Sequence, residues 1–279
     1  MADLTATARP LAFEDLRFVH PPLLEGTGEI EARWTMQGER MRLHATLLDL
    51  VMGEAEVEGN VDLTLGDSLR LGPTNLSFAR IDTDLVRQLA PGVEIPREGT
   101  LSGRVALAGS PEALTLDGNL SFTERGGSVS RLIADGVVGT DEEGFLTQDL
   151  RVRAAPIQLS LLSSRADGPV EGTITGVATL TGTSTEGFAL DADLAHQSSE
   201  TGPSRMIAAG AVARSGDTYA ARDLTVRLDP LQVALARAFA PGFPLTGIVR
   251  GTATLNGPAA ALELSADLVH ESSSTGRSR

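Results

Sequence analysis

A chain of 279 residues with 41% hydrophobic content has the length and composition to fold around a large apolar surface. Its net charge of −14 and pI near 4.7 argue against a nucleic-acid partner and against adsorption to an anionic membrane face, because both need clustered cations. There is no Cys, which excludes a disulfide framework and a thiolate metal site.

Met1–His20 (MADLTATARPLAFEDLRFVH) lacks the basic start and apolar run of a signal peptide. No apolar run reaches the roughly 18 residues of a transmembrane helix. The first 80 residues read as a partial, degenerate repeat, with strands predicted at Glu56–Leu63 and around Asn75-Leu76-Ser77-Phe78. Thr83–Ala90 (TDLVRQLA) is a short helical piece stopped by Pro-Gly. Then comes Gly99–Gly109, GTLSGRVALAG, which returns as GTITGVATLTG at Gly172–Gly182 and as GIVRGTATLNG at Gly247–Gly257. Asp117–Pro156 matches Asp191–Pro230 without a gap at a shift of 74. Pairs such as Ser130/Ser204, Arg131/Arg205, Asp149/Asp223 and Pro156/Pro230 carry the match. The chain is therefore an array of about three and a half units: 1–80 partial, 81–153, 154–227, and 228–279 truncated. Both ends read as cuts in a longer protein.

Within a unit the period is two. Leu101, Val105 and Leu107 share a face with Gly103, and Leu114, Leu116, Leu120 and Phe122 share one in the next strand. The second copy places Ile174, Ala178, Leu180, then Phe188, Leu190 and Leu194. The third places Val249, Ala253, Leu255, then Leu262, Leu264 and Leu268. Polar residues such as Thr115, Asp117 and Asn119 alternate with them, the pattern of half-buried antiparallel strands. Gly109, Gly182 and Gly257 open hairpin turns, and Gly103, Gly176 and Gly251 mark a bend, a bulge or a close approach. A third strand (Leu132–Val138; Met206–Val212), a hairpin turn at Asp141-Glu142-Glu143 and a fourth strand (Leu146–Val152; Ala220–Val226) follow. A helical piece at Leu231–Ala240 precedes the last copy. The fold class is mostly β: an elongated, curved antiparallel repeat sheet, an open trough with one short helix per unit. One short helix cannot cover four strands, so a closed β-sandwich is the alternative. Scarce aromatics, 4% of the chain, favour the hollow form.

Several residues carry this pattern into a known family. These are Leu228-Asp229-Pro230-Leu231, the run Ala240-Pro241-Gly242-Phe243-Pro244-Leu245-Thr246-Gly247, and Gly251–Gly257 with Ala261–Leu268. Together they resemble the TamB and AsmA-like repeat proteins of diderm bacteria. The resemblance implies a taco-shaped β-sheet with a lipid-sized apolar groove, in a periplasmic protein anchored in the inner membrane. It implies conduction of phospholipid between the inner and outer membranes in support of outer-membrane biogenesis. It also implies an outer-membrane barrel partner and a membrane anchor, both acting through regions outside this sequence. The nineteen apolar residues named above would line the groove, touching acyl chains. Each buried CH₂ gains roughly 0.8 kcal/mol on leaving water. The rival reading is a structural or adhesive repeat protein of the cell surface with a closed core.

Nothing in the sequence forms a catalytic constellation, and neither an enzyme nor a cofactor is expected. His196 and His270 repeat, but Phe122 holds the same slot in the first unit, so the slot reads as packing or rim rather than metal binding. His20 and His44 are isolated. Asp191 and Asp193 alternate on a solvated strand face. Without Lys there is no P-loop, and the repeated GxxxG spacing lies in polar, alternating segments rather than an apolar helix. Arg131, Arg205 and Arg279 recur at a strand start, where a cross-strand salt bridge is expected.

Overall fold

Alternation of apolar and polar residues is carried into a computed structural model that describes residues 2–12, 26–89, 95, 97–141, 144–161, 171–215, 218–235, 246–272 and 276–278. The fold is mostly β, with few helices, and its antiparallel sheet is not closed. Strands follow one another in the sheet in chain order from β1 to β16. Two compact units divide the chain.

Unit 1 comprises Met1–Val129 and Ile133–Gly139. It holds β1 (Ala2–Ala12), β2 (Thr27–Gln37), β3 (Arg40–Met52), β4 (Ala55–Leu65) and β5 (Arg70–Asp82). A helix, α1 (Thr83–Leu89), leads into β6 (Gly99–Ser110) and β7 (Ala113–Glu124). Within the degenerate first 80 residues no strand is predicted at β1 to β3, where the pairing is interrupted at Ala8/Leu11 and Glu31/Ala32. Asp82 starts α1: its Oδ1 accepts a hydrogen bond from the Asp84 N–H at 2.8 Å, the role of an N-cap. Leu85 of α1 is buried with Ala55 and Ile81, and Met52, Val57, Phe78 and Leu101 pack against them.

Unit 2 comprises Ser130–Leu132 and Thr140–Arg279. The strand β8 (Val129–Asp141) contributes to both units. Unit 2 adds β9 (Gly144–Gln158), β10 (Thr173–Thr183), β11 (Gly187–Gln197), β12 (Ser204–Ser215), β13 (Thr218–Gln232), β14 (Ile248–Pro258), β15 (Glu263–Ser272) and β16 (Gly276–Ser278). The predicted helix at Leu231–Ala240 starts later than its sequence suggests. Leu231 and Gln232 pair with Val249 and Ile248 in the sheet, and helical residues begin at Val233. Residues 236–240 lie outside the described residues, as do Glu142, Glu143, His20 and Arg279. In the second copy the helical piece is a 3-10 turn, Leu159–Leu161. Leu262 was expected in a strand but follows a 3-10 turn at Ala259–Ala261, so β15 begins one residue later.

Positions 74 apart do the same work. Leu85, Leu159 and Val233 are each buried, at 7%, 8% and 3% exposure, and each begins or lies within a helical turn. The N–H of Leu159 donates to the Gly172 carbonyl and that of Val233 to the Gly247 carbonyl, both at 2.9 Å. Ser130 Oγ accepts from the Gln158 N–H at 2.9 Å, and Ser204 Oγ from the Gln232 N–H at 3.0 Å. Both serines are 5% exposed, so each buried hydroxyl is matched to a backbone donor. Asp149 and Asp223 share a left-handed φ of 48° at breaks in strand register. Asp tolerates that conformation better than most residues. A side chain of the next strand holds each N–H: Thr181 Oγ1 at 3.0 Å and Asn256 Oδ1 at 2.7 Å.

Candidate functional site

Register converts alternation into continuous apolar rungs. In unit 2 one rung runs Ala154–Gly176–Leu194–Met206–Leu228–Gly251–Leu268, every neighbour a cross-strand partner. The next runs Val152–Ala178–Ala192–Ala208–Val226–Ala253–Ala266. A third holds Leu150, Leu180 and Leu190 on one side of Gly210 and Leu224, Leu255 and Leu264 on the other. Unit 1 has its own rungs, among them Leu50–Val57–Phe78–Gly103–Leu120 and Ile30–Leu48–Gly59–Leu76–Val105. Adjacent strands lie about 4.8 Å apart. The rungs named here carry no polar side chain, while the neighbouring rung Ile157–Ile174–His196–Ser204 brings two polar groups to the edge of the same face.

The face is not covered as a sandwich core would be. Leu101, Val105, Leu107, Leu114, Leu116 and Leu120 are half-buried, and so are Ile174, Ala178, Leu180, Phe188, Leu190 and Leu194. Val249, Ala253, Leu255 and Leu268 are half-buried too, while Leu262 and Leu264 are exposed at 43% and 63%. Only Phe122 among these nineteen is buried. Inner-face residues of packed sheets would all be sealed.

Gly176 shows how closely the strands approach. A Cβ at this position would lie 2.1 Å from the Asp193 carbonyl oxygen, and its φ is +139°. Gly251 repeats the arrangement, 2.0 Å from the Asp267 carbonyl oxygen at φ +133°. Of the readings open for these glycines, the structure shows a close backbone approach and, beside each, a shift in the register with the preceding strand. At the far end of β11 the repeated His slot is explained by another glycine. Phe122 Cζ would lie 2.8 Å from a Cβ on Gly99, and His196 Nε2 would lie 2.5 Å from one on Gly172. Phe and His thus cap the same gap. His196 Nε2 is 3.1 Å from the Glu171 carbonyl oxygen and His270 Nε2 is 2.6 Å from that of Thr246. The ring N–H donates there, which fixes the tautomer.

One apolar hollow opens on unit 2, with a volume of about 280 Å³. Leu159, Ile174, Leu194, Met206, Leu231 and Leu235 form its wall, beside His196 and Ser204. Ile174 and Leu194 were expected at such a site. Leu159, Met206, Leu231 and Leu235 were not. The first is legible only through the spacing that links Leu85, Leu159 and Val233, and the others needed the register. Phe145 and Phe188 stack obliquely at 6.2 Å between centroids. Both flank the strand end near Gly182, where β10 has no side chain of its own.

The opposite face is polar. Arg205 forms a bidentate pair with Asp193, at 2.9 and 2.7 Å, the cross-strand salt bridge expected from the repeat. The guanidinium beside Asp193 holds its carboxyl below the usual range. In unit 1, Arg42 binds both oxygens of the buried Asp62, at 2.9 and 2.6 Å, and so lowers the Asp62 pKa. The Asp62 N–H donates to Thr74 Oγ1 at 3.2 Å.

No family model, curated protein or solved structure matches this chain.

Proposed function

We propose that this repeat array is a lipid conduit, its apolar face holding phospholipid acyl chains while their headgroups stay in water. The reading extends to the periplasm and to traffic between inner and outer membranes through the resemblance to TamB and AsmA-like proteins. One observation carries it: in each unit the apolar rungs are continuous and their side chains half-buried, with no second layer over them among the described residues. Uncovered apolar area of this extent is costly in water and is the surface an acyl chain would cover. Rungs of similar composition give near-equal sites, between which a chain slides without a deep trap.

The test is photo-crosslinking in cells that produce the protein. A crosslinker at Leu180, on the apolar face, is compared with one at Thr179, the next residue of β10 on the other face. Lipid adducts at Leu180 and none at Thr179 are expected. Protein-only adducts at Leu180, or none, would favour the structural or adhesive reading, in which another protein surface covers the rungs.

A further inference from the structure

In a chain of net charge −14, one cleft on the polar face of unit 1 gathers four arginines. Register sets them there. Asp3, Thr35, Arg42, Thr64 and Arg70 are successive cross-strand partners from β1 to β5. Arg40 stands at the tip of the β2–β3 hairpin, paired with Gln37, and its stem runs over Gly66 of the next turn. The cleft between these strands and turns has a volume of about 650 Å³.

Its four guanidiniums differ in state. Arg33 is engaged by both carboxylate oxygens of Asp3, and Arg42 by both of Asp62. These two form fixed walls. Neither Arg40 nor Arg70 has a hydrogen bond or ion pair with a described residue, although the Glu112 carboxyl, held below its usual range first by the Ser110 hydrogen bond, also feels the charge of Arg70. Asp3 and Asp67 are the carboxylates of the cleft wall, and Asp3 and Asp62 are already bound to Arg33 and Arg42, which leaves Arg40 and Arg70 as the cations available to a ligand. Thr64 lies in register between Arg42 and Arg70, a hydroxyl donor between two cations.

We propose that this cleft binds a phosphate-bearing anion, held by Arg40, Arg70 and the Thr64 hydroxyl, with Arg42 fixed behind it by Asp62. Planar guanidiniums match phosphate oxygens in pairs, and two free ones converging from separate hairpins suit a dianionic group better than a single carboxylate. The inference does not depend on what the apolar face carries. The phosphate could belong to a soluble phosphoester or to a lipid headgroup, and one experiment separates the two.

The whole chain is titrated with inorganic pyrophosphate by calorimetry at low ionic strength, alongside an Arg40→Gln/Arg70→Gln variant. Flotation with phosphatidylcholine vesicles, with and without phosphatidic acid, is run in parallel on both proteins. Saturable pyrophosphate binding, weakened about tenfold or more in the variant and by added salt, is the expected result. Flotation with phosphatidic acid that the variant loses, without pyrophosphate binding, assigns the phosphate to a lipid headgroup and also supports the site. Absence of both, or equal binding by the variant, overturns it. An unchanged melting temperature and far-UV circular dichroism of the variant show that a loss is not one of folding, since neither side chain supports the sheet through a hydrogen bond.

Discussion

Single residues decide how closely the strands approach. Gly176 leaves no room for a side chain, and its φ of +139° is one that L-residues avoid. Gly176→Val should lower the unfolding free energy by about 3 kcal/mol, read from urea denaturation, because the clash is with backbone that cannot swing away. A loss below about 1 kcal/mol would show that the approach is not as tight as described. Asp62 decides a second matter, the response to acid. Its folded pKa is lowered, by the Arg42 hydrogen bonds first, so its contribution is full above the ordinary carboxylate pKa of about 3.9. Stability should fall as pH drops through that value towards the lower folded pKa, as protonation removes the acceptor. Asp62→Asn should be less stable at neutral pH and show a shallower acid slope. Equal slopes in both proteins would place the acid sensitivity elsewhere.

At the scale of elements, each repeat is pinned by one apolar residue at a helical turn. Leu85, Leu159 and Val233 are buried, and the serine–backbone bonds of Ser130 and Ser204 fasten the same corner in two copies. Leu159→Ala should cost about 2–4 kcal/mol, the usual range for a buried Leu truncated to Ala. Val233→Ala should cost less, about 1–2 kcal/mol, since fewer carbons are removed. The two residues share no cross-strand partner, so their effects should add within about 0.5 kcal/mol, measured as the double variant against the singles. A large coupling would mean that the corners fold as one. The 74-residue shift shows in the sequence as matched letters, yet it does not say that a three-residue turn serves where another copy has a helix. Apolar periodicity does not distinguish the two kinds of helical turn.

Among the described residues the sheet is built only from sequence neighbours, which is how repeat arrays distribute stability. Gly176→Val should therefore speed hydrogen exchange in β9 to β11 while leaving β3 and β4 protected, as measured by mass spectrometry. Uniform loss of protection would show a single cooperative unit instead. The exposed Arg–carboxylate pairs, such as Arg205 with Asp193, add register rather than much stability, because solvent and salt screen them. By itself the sequence determined the repeat, the period-two pattern and the identity of the apolar face, because alternation is a local property of strands. It also led to a cross-strand salt bridge at Arg205, but the partner, Asp193, came from the structure. Only the tertiary structure decided which residues share a rung, since register depends on bulges such as those at Asp149 and Asp223. One slipped residue would turn every side chain to the other face. Nor does periodicity reveal that the apolar face stays half-buried, or that Arg40, Arg42 and Arg70 meet from two strands, β3 and β5. Burial and convergence are set by what lies across the sheet, and no local pattern records that.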